Sequence, residues 1–423
     1  MRVRFDPRTV ICAISGLACL VAAFSAQAQM APSVSVPPVP AAPVPAAQPA
    51  PVTSVDLAYL ALAVKRTLPL SYLDQPPSDE GIQGARLALA DDETTGRFIH
   101  QTYHLTEAIQ PDEAAVLDAF KRLAAAGRKI FVTDLPAALL LRIADLPEAK
   151  DATFLDATSE DDMLRAEGCR ANILHLLPSR AMLADALMQY LAVKKWRNIL
   201  LVSGPEVPDK AYAEAIRHAA AKFQIHIVQD KPWTYDPGAR RTDTGHYAIE
   251  AEVARFTQGI SYDVLVVADE GGNFGDELSY RGTDPRPIAG TQGLVPSAWA
   301  RPFEQWGGTQ LQSRFLKQAG RWMTDRDYGA WMAVRTVGEA AARGGGTDPK
   351  ILGAFMRGAD FELAAFKGAR LSFRPWDGQL RQPVLLADAR SLVSVSPQPG
   401  FLHQVSELDT LGVDQPESSC HLE

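Results

Sequence analysis

Between Cys169 and Gly204 the chain reads CRANILHLLPSRAMLADALMQYLAVKKWRNILLVSG, and this stretch limits the possible folds more than any other. Asn172–Leu177 is a short apolar-rich run broken by Pro178 and Ser179. Arg180–Lys194 then sets Met182, Leu183, Ala186, Leu187, Tyr190 and Leu191 at helical spacing. Trp196 and Arg197 lead into Asn198–Ser203, a nearly all-apolar run of the kind that forms a strand buried on both faces. Gly204-Pro205 ends it. Strand, helix, strand is one βαβ unit, which implies a parallel sheet and a right-handed crossover. It lies near the middle of the chain, where one α/β lobe can hand over to a second.

The same alternation extends in both directions. Upstream, Asp56–Val64 reads as a strand and Arg66–Pro77 as a long loop. Ser78 caps a helix through Ala85, Leu87, Ala88 and Leu89 that Gly96 ends. Phe98–Leu105 follows as a strand, and then a helix from Pro111 at its first position to Gly127. Lys129–Thr133, Pro136–Leu146 and Ala152–Asp156 read strand, helix, strand, and Ser159-Glu160-Asp161-Asp162 reads as the capped start of a short helix. Downstream come a helix over Pro208–Phe223, a strand over Ile225–Gln229, a helix over Gly245–Gln258 and strands at Asp263–Ala268 and Arg286–Gly290. Helices over Phe303–Gln318, Arg326–Arg343 and Pro349–Arg357 complete the alternation. Arg370–Arg374 and Gln382–Ala387 then flank Pro375-Trp376-Asp377-Gly378, a hairpin signal, and a polar tail runs to Glu423. Two such blocks imply an α/β fold with parallel sheets.

At 423 residues and 47% hydrophobic composition the chain can bury two cores. A net charge of −8 argues against non-specific nucleic-acid binding. Arg2, Arg4 and Arg8 precede an apolar run from Val10 to Phe24, and Ala26-Gln27-Ala28 supplies a small-residue cleavage pattern. Residues 1–28 therefore read as a signal peptide, with an apolar run too short to span a bilayer comfortably. Residues 29–53 form a Pro/Ala-rich linker, extended and solvated. Cys12 and Cys19 leave with the leader, so Cys169 and Cys420 remain. In an oxidising compartment they would form one disulfide; two free thiols are the alternative.

Catalytic signatures are missing: no G-x-S-x-G elbow, phosphate loop, G-x-G-x-x-G after a strand or H-E-x-x-H occurs. His100 and His104 would share one strand face but lack a third ligand, so an ordinary half-exposed strand is the better reading. The acidic runs Asp91-Asp92-Glu93 and Glu160-Asp161-Asp162 lie at helix ends, where carboxylates cap or are solvated. Gly344-Gly345-Gly346 reads as a connection. Tryptophans crowd the second half beside cations, a mixture suited to planar anions because indoles stack and guanidinium forks grip carboxylates. Trp322, Trp331 and Trp376 fit core or surface packing. Trp233 and Trp299 follow strands in predicted loops, where open α/β sheets bind ligands.

Several stretches together resemble a type I periplasmic solute-binding protein, the two-lobed class that includes the branched-chain amino acid receptors. They are PLSYLDQPPSDEGIQGARLALADDETTGRF (69–98), residues 169–191, GLVPSAWARPFEQWGGTQLQSRF (293–315), DYGAWMAVRTVGEAA (327–341) and LDTLGVDQPESSC (408–420). More narrowly, the chain resembles the solute-binding component encoded with pyrroloquinoline quinone (PQQ)-dependent alcohol dehydrogenase systems and an ABC transporter. The resemblance implies two Rossmann-like lobes with central parallel sheets, joined by three crossovers near Asn172–Leu177, Gly290–Pro296 and Lys367–Phe373. Lobe 1 would take residues 54–173 and 291–366, lobe 2 residues 174–290 and 367–405, and 406–423 would form a C-terminal tail. It further implies a periplasmic, non-catalytic monomer with a small-molecule ligand, ABC transporter membrane components as partners and a PQQ-dependent dehydrogenase as a further candidate partner.

The ligand loops implied by the class are Arg66–Leu70, Thr133–Pro136, Asp156–Ser159, Pro205–Lys210, Ala268–Gly271 and Thr291–Trp299. The loop Thr133-Asp134-Leu135-Pro136 lacks the Ser/Thr run that holds an amino acid carboxylate in this class. That departs from an α-amino acid site; the resemblance, with the cations and indoles of the second half, implies PQQ or a similar planar polyanion as the ligand, with no catalytic cofactor. Trp299 and Trp233 are the candidates for stacking; Arg66, Arg180, Lys210 and Arg301 are those for carboxylates, with Gln292 in the last loop. The alternatives are an alcohol-pathway metabolite, amide or small amino acid whose ammonium Glu270 would hold, and an accessory protein that docks onto the dehydrogenase.

Overall fold

The computed structural model describes residues 52–63, 77–234 and 251–422. The expected signal peptide, the expected linker up to residue 51, Arg66 with its loop up to residue 76, and the start of the expected 245–258 helix lie outside them. Two parallel sheets organise the chain. The first contains β1 (Thr53–Leu62), β2 (Gln101–Gln110), β3 (Ile130–Asp134), β4 (Thr153–Asp156) and β5 (Ile173–His175), in the order β2-β1-β3-β4-β5. The second contains β6 (Asn198–Ser203), β7 (His226–Pro232), β8 (Val264–Ala268) and β9 (Ile288–Gly290), in the order β7-β6-β8-β9. β3, β4 and β8 are buried along their whole length, as strands covered on both faces must be. Among the described residues no helix is long and apolar enough to cross a membrane.

Helices cover both faces of each sheet. On the first sheet α1 (Ile82–Ile99) packs with the later helix Asp325–Arg343 on one face, and α2 (Glu113–Ala125) and α3 (Ala137–Ala144) cover the other. On the second, α4 (Arg180–Lys194) and α5 (Val207–Lys222) cover one face. The helical segment α6 (251–257) and the short α7 (Gly275–Leu278) lie over the other. The βαβ reading is met residue for residue at α4 and β6, where Ser179 caps the helix by accepting from the Met182 amide.

The chain crosses between the two cores three times. Leu177 belongs to the first core and Met182 to the second, Ala289 to the second and Ala298 to the first, Leu380 to the first and Val384 to the second. The third crossing therefore falls at 380–384, later than the Lys367–Phe373 expected. β10 (Val295–Ser297), β13 (Val384–Ala387) and β14 (Leu392–Ser396) form a small antiparallel sheet beyond the crossings. β11 (Leu363–Ala364) and β12 (Arg370–Leu371) pair with each other. The hairpin read around Asp377-Gly378 shrinks to one bridge, Phe373 with Leu380, because Gln379 is drawn to the end of β5, where it bridges His175.

Buried polar side chains tie the crossings together. Gln379 Nε2 donates to the Leu177 carbonyl at 2.9 Å, and Gln382 Nε2 donates to that of Leu176 at 2.5 Å. The Lys367 ammonium donates to the carbonyls of Ala298 and Pro383, and burial pushes its pKa down to about 7.

Several local readings shift for physical reasons. α1 starts at Ile82 because Gly81 sits at φ 79°, and its amide is taken by the Asp327 carboxylate at 2.9 Å. It runs past Gly96, where a Cβ would lie 2.5 Å from the Gln101 carbonyl oxygen, so this glycine serves close approach. His100 then closes the helix in the left-handed region at φ 56°; it shares no strand face with His104. Asp112, one residue after Pro111, caps α2. The expected 303–318 helix is a 3-10 turn, Gln305–Gly307, followed by α8 (Gly308–Ala319), because Trp306 has φ 52°. α9 (Asp325–Arg343) and α10 (Pro349–Arg357) follow.

The end of the chain is no free tail. Leu411 is fully buried and Cys420 is bonded to Cys169, with Cα atoms 5.7 Å apart across 251 residues of sequence. A loop this long gives about 5.5 kcal/mol in the chain-entropy account, and measured bridges usually give less. Replacing both cysteines by serine should lower the unfolding free energy by about 2–4 kcal/mol, read from urea unfolding with and without reductant. Equal stability with and without the bridge would show that it does not constrain the unfolded chain.

Candidate functional site

Open α/β sheets bind ligands beyond the carboxyl ends of their strands. Here those ends from both sheets converge on two cavities of about 490 and 350 Å³. The cavities share Glu160, Glu270 and Asp325, so they form one continuous cleft beside the crossings.

The first lobe contributes the end of β3 and the loop after β4. Asp134 ends β3 and is 5% exposed. Its carboxylate accepts from Tyr59 Oη at 3.0 Å, from Thr158 Oγ1 at 2.9 Å and from Arg326 of α9. The loop 157–161 is held from below. Buried Arg165 donates to the Ser159 carbonyl at 2.9 Å, the Asp161 carbonyl at 2.9 Å and Gln379 Oε1 at 2.8 Å. Asp156, at the root of that loop, accepts from the Ser159 amide and meets His175 Nδ1 at 2.8 Å. Burial, helped by the Arg165 charge, pushes His175 down to about 4, so its ring is neutral at physiological pH. This loop is therefore a rigid platform fixed to the crossings.

The second lobe contributes the start of α4, α5 and the loops after β8 and β9. Arg180 grips Glu270 with both ends of its guanidinium, at 2.6 and 2.7 Å. Burial works against the Arg180 charge, but the Glu270 pairing outweighs it and holds its pKa above the usual value. The Glu270 amide donates to buried Asp209 at 2.8 Å, which fixes the loop on α5. Tyr212, one turn further along α5, is 3% exposed and lines the smaller cavity; its hydroxyl has no hydrogen-bond partner among the described residues. Asp325 begins α9, and burial raises it to about 6 although it accepts from the Trp299 amide.

Of the residues expected from sequence, the structure brings Arg180, Glu270 and Gln292 to this cleft. Trp233 is 6% exposed and stacks on Phe274 at 4.8 Å within the second core. Trp299 is 3% exposed and stacks on Tyr328 at 4.6 Å, so it touches the site only through its amide. Both indoles are packing residues, because the strands they follow turn them inward. Arg301 is exposed and lies over the Trp322 ring at 4.3 Å, and Lys210 is exposed on α5; neither lines the cleft. Arg66 lies outside the described residues. Sequence reasoning missed Asp134, Glu160, Tyr212, Asp325 and Arg326 as cleft residues. The legible signal was position alone: Asp134 and Glu160 fall in, or next to, two of the loops named after strands.

Two doubly wound lobes, three crossings and a cleft at the strand ends define the fold of the type I periplasmic binding proteins. Among solved structures, the chain resembles a branched-chain amino acid ABC transporter periplasmic ligand-binding protein from Burkholderia xenovorans. That likeness has a TM-score of 0.63 and 15% identity over 81% of this chain and 95% of that one. It also resembles the leucine-, isoleucine-, valine-, threonine- and alanine-binding protein of Brucella ovis in a closed conformation, with TM-score 0.62 and 13% identity over 88% and 99% of the two chains. A third is an ABC transporter solute-binding protein from R. palustris in complex with benzoate, with TM-score 0.62 and 10% identity over 87% and 100%. No family model matches the sequence, and no curated protein does. None of these neighbours carries a link to PQQ-dependent alcohol oxidation, so the narrower expectation draws no support from them.

Proposed function

We propose that the chain is a solute receptor: a non-catalytic, exported protein that holds a small molecule between its lobes and presents it to the membrane components of an ABC transporter. The observation that carries this reading is the continuous cleft at the carboxyl ends of both sheets, alongside three crossings able to act as a hinge. The names of the structural neighbours agree with it, and so does the periplasmic location implied by the leader. The cleft is complete within one chain, in keeping with a monomer.

PQQ remains a candidate through the sequence resemblance. To bind it, the cleft would have to release Arg180 from Glu270 and Arg326 from Asp134, and the anion would still face Glu160 and Asp325. A dehydrogenase partner rests on the resemblance alone. The test is a thermal-shift panel of amino acids, amides, aromatic acids, amines and PQQ, followed by small-angle scattering with any hit. One class of small molecule should stabilise the protein by about 2.7 kcal/mol at a hundredfold excess over Kd and make it more compact. A panel with no stabiliser and no compaction would remove the receptor reading.

A further inference from the structure

The two guanidinium groups that could grip a carboxylate in this cleft are already engaged. Arg180 is bound at both ends by Glu270, and Arg326 donates to Asp134. The Thr158 hydroxyl donates to Asp134 as well. Among backbone donors, the Ser159 amide is taken by Asp156, that of Asp161 by Ser159 Oγ and that of Glu270 by Asp209. An incoming anion would meet no free fork and would face three acidic side chains on the shared wall.

What the cleft leaves unpaired has the opposite character. The Glu160 carboxylate lines both cavities and has no hydrogen-bond partner among the described residues. Across the smaller cavity, on the other lobe, the buried Tyr212 hydroxyl is also unpartnered. The Tyr212 hydroxyl is a buried polar group without a partner, which calls for a missing one, and the partly exposed Glu160 carboxyl lines the same cavity. We infer that the cleft selects an organic cation without a carboxylate, an amine, amidine or guanidine, whose N–H groups bridge Glu160 of the first lobe and Tyr212 of the second. This rests on the receptor reading and narrows it to a ligand class.

The electrostatics agree. The charged groups facing Glu160 are Glu270 after β8, Asp325 on α9, Arg180 on α4 and Arg165 beneath the loop, with neutral Tyr212 on α5. Burial first, then Glu270 and Asp325, push Glu160 up to about 8 against the two arginines. Burial first, then Glu270 and Glu160, raise Tyr212, so its phenol keeps its proton and can accept an N–H. A bound cation would supply the opposite charge that favours the ionised form of Glu160. Because only the carboxylate form of Glu160 pairs with it, binding below pH 8 releases close to one proton. Affinity then rises by about tenfold per pH unit from 6 towards 8 and levels off above, while the ligand itself stays protonated.

The experiment is calorimetric titration of the full mature chain with four probes at pH 6, 7, 8 and 9. Leucine, 3-methylbutylamine and 4-methylpentanoate share one apolar body and differ in which polar groups they carry; agmatine adds a guanidine. The amine or agmatine should bind with the stated pH slope, and 4-methylpentanoate should not. Glu160→Gln should weaken that binding by about a hundredfold and Tyr212→Phe by about tenfold, with melting temperatures unchanged. The pH slope on the unmodified chain stands even if a variant folds poorly. Binding of leucine, 4-methylpentanoate or PQQ with no binding of the cations overturns the ligand class and leaves the receptor reading intact. So does cation binding that is indifferent to both pH and Glu160→Gln, because the cation is then held elsewhere. Failure of every probe, PQQ and the wider panel overturns both.

Discussion

Replacing Asp409 by Ala should cost about 3–5 kcal/mol of folding stability and loosen the C-terminal segment where it docks on Arg374 and Arg381. Asp409 is 1% exposed, and its carboxylate accepts from Arg374 Nε at 3.0 Å and from Arg381 Nε at 2.8 Å. Both guanidiniums are themselves buried, 5.3 and 5.2 Å from the centre of the Trp376 ring. Removing the anion leaves two desolvated cations with only Asp377, 3.7 Å from Arg374, and a few carbonyls to face. That uncompensated charge makes the loss large, whatever the net value of the intact cluster. The same segment is held on the second lobe by Lys222, which bonds the Gly412 carbonyl at 2.9 Å and Asp185 at 2.7 Å. Covalently it is held at Cys169. Urea unfolding of the oxidised protein should show the drop, and Asp409→Asn should recover part of it by keeping hydrogen bonds to both arginines. A loss under about 1 kcal/mol would mean that the segment docks without this cluster.

The alternation of strands and helices was legible because burial on both faces leaves unbroken apolar runs, and Pro178, Ser179 and Gly204 mark where they stop. At α4 and β6 the bounds coincide with the reading residue for residue. Sequence pattern could not show long-range placement. Trp299 lies in a loop by local pattern, yet it stacks on Tyr328, whose position depends on how α9 crosses the first sheet. Gly96 looks like a helix stop because its role, letting the start of β2 come close, depends on tertiary contact. Glu160 shows the same limit at the site. Within Ser159-Glu160-Asp161-Asp162, capping falls to Asp161, which accepts from the Met163 amide at 3.1 Å. Its neighbour turns into the cleft, and nothing in the tetrapeptide tells the two carboxylates apart.

The largest purely steric effect is expected at Gly84. α1 and α9 approach so closely there that a Cβ would lie 1.8 Å from the Asp327 carbonyl oxygen, a backbone atom that cannot rotate away. Further along the seam, a Cβ at Gly338 would lie 2.2 Å from the Asp92 carboxylate. Gly84→Val must therefore push the two helices apart, and overpacking of this kind should cost at least about 3 kcal/mol. The cost rises because α9 is pinned where it would have to move. Asp327 is fully buried, holds the Gly81 amide and is gripped by Arg321 at 2.6 and 3.0 Å. Asp325 and Arg326 sit on that same helix start, so the shift should reach the cleft and abolish ligand binding even in molecules that remain folded. Gly346→Ala is the matched control: a Cβ there would meet only Ile351 at 3.4 Å, so stability should change by no more than about 0.5 kcal/mol. Thermal unfolding of the two variants beside the parent separates these outcomes. A Gly84→Val protein that melts with its Gly346→Ala counterpart would mean the helices are not in backbone contact, and the site at the start of α9 would lose its rigid support.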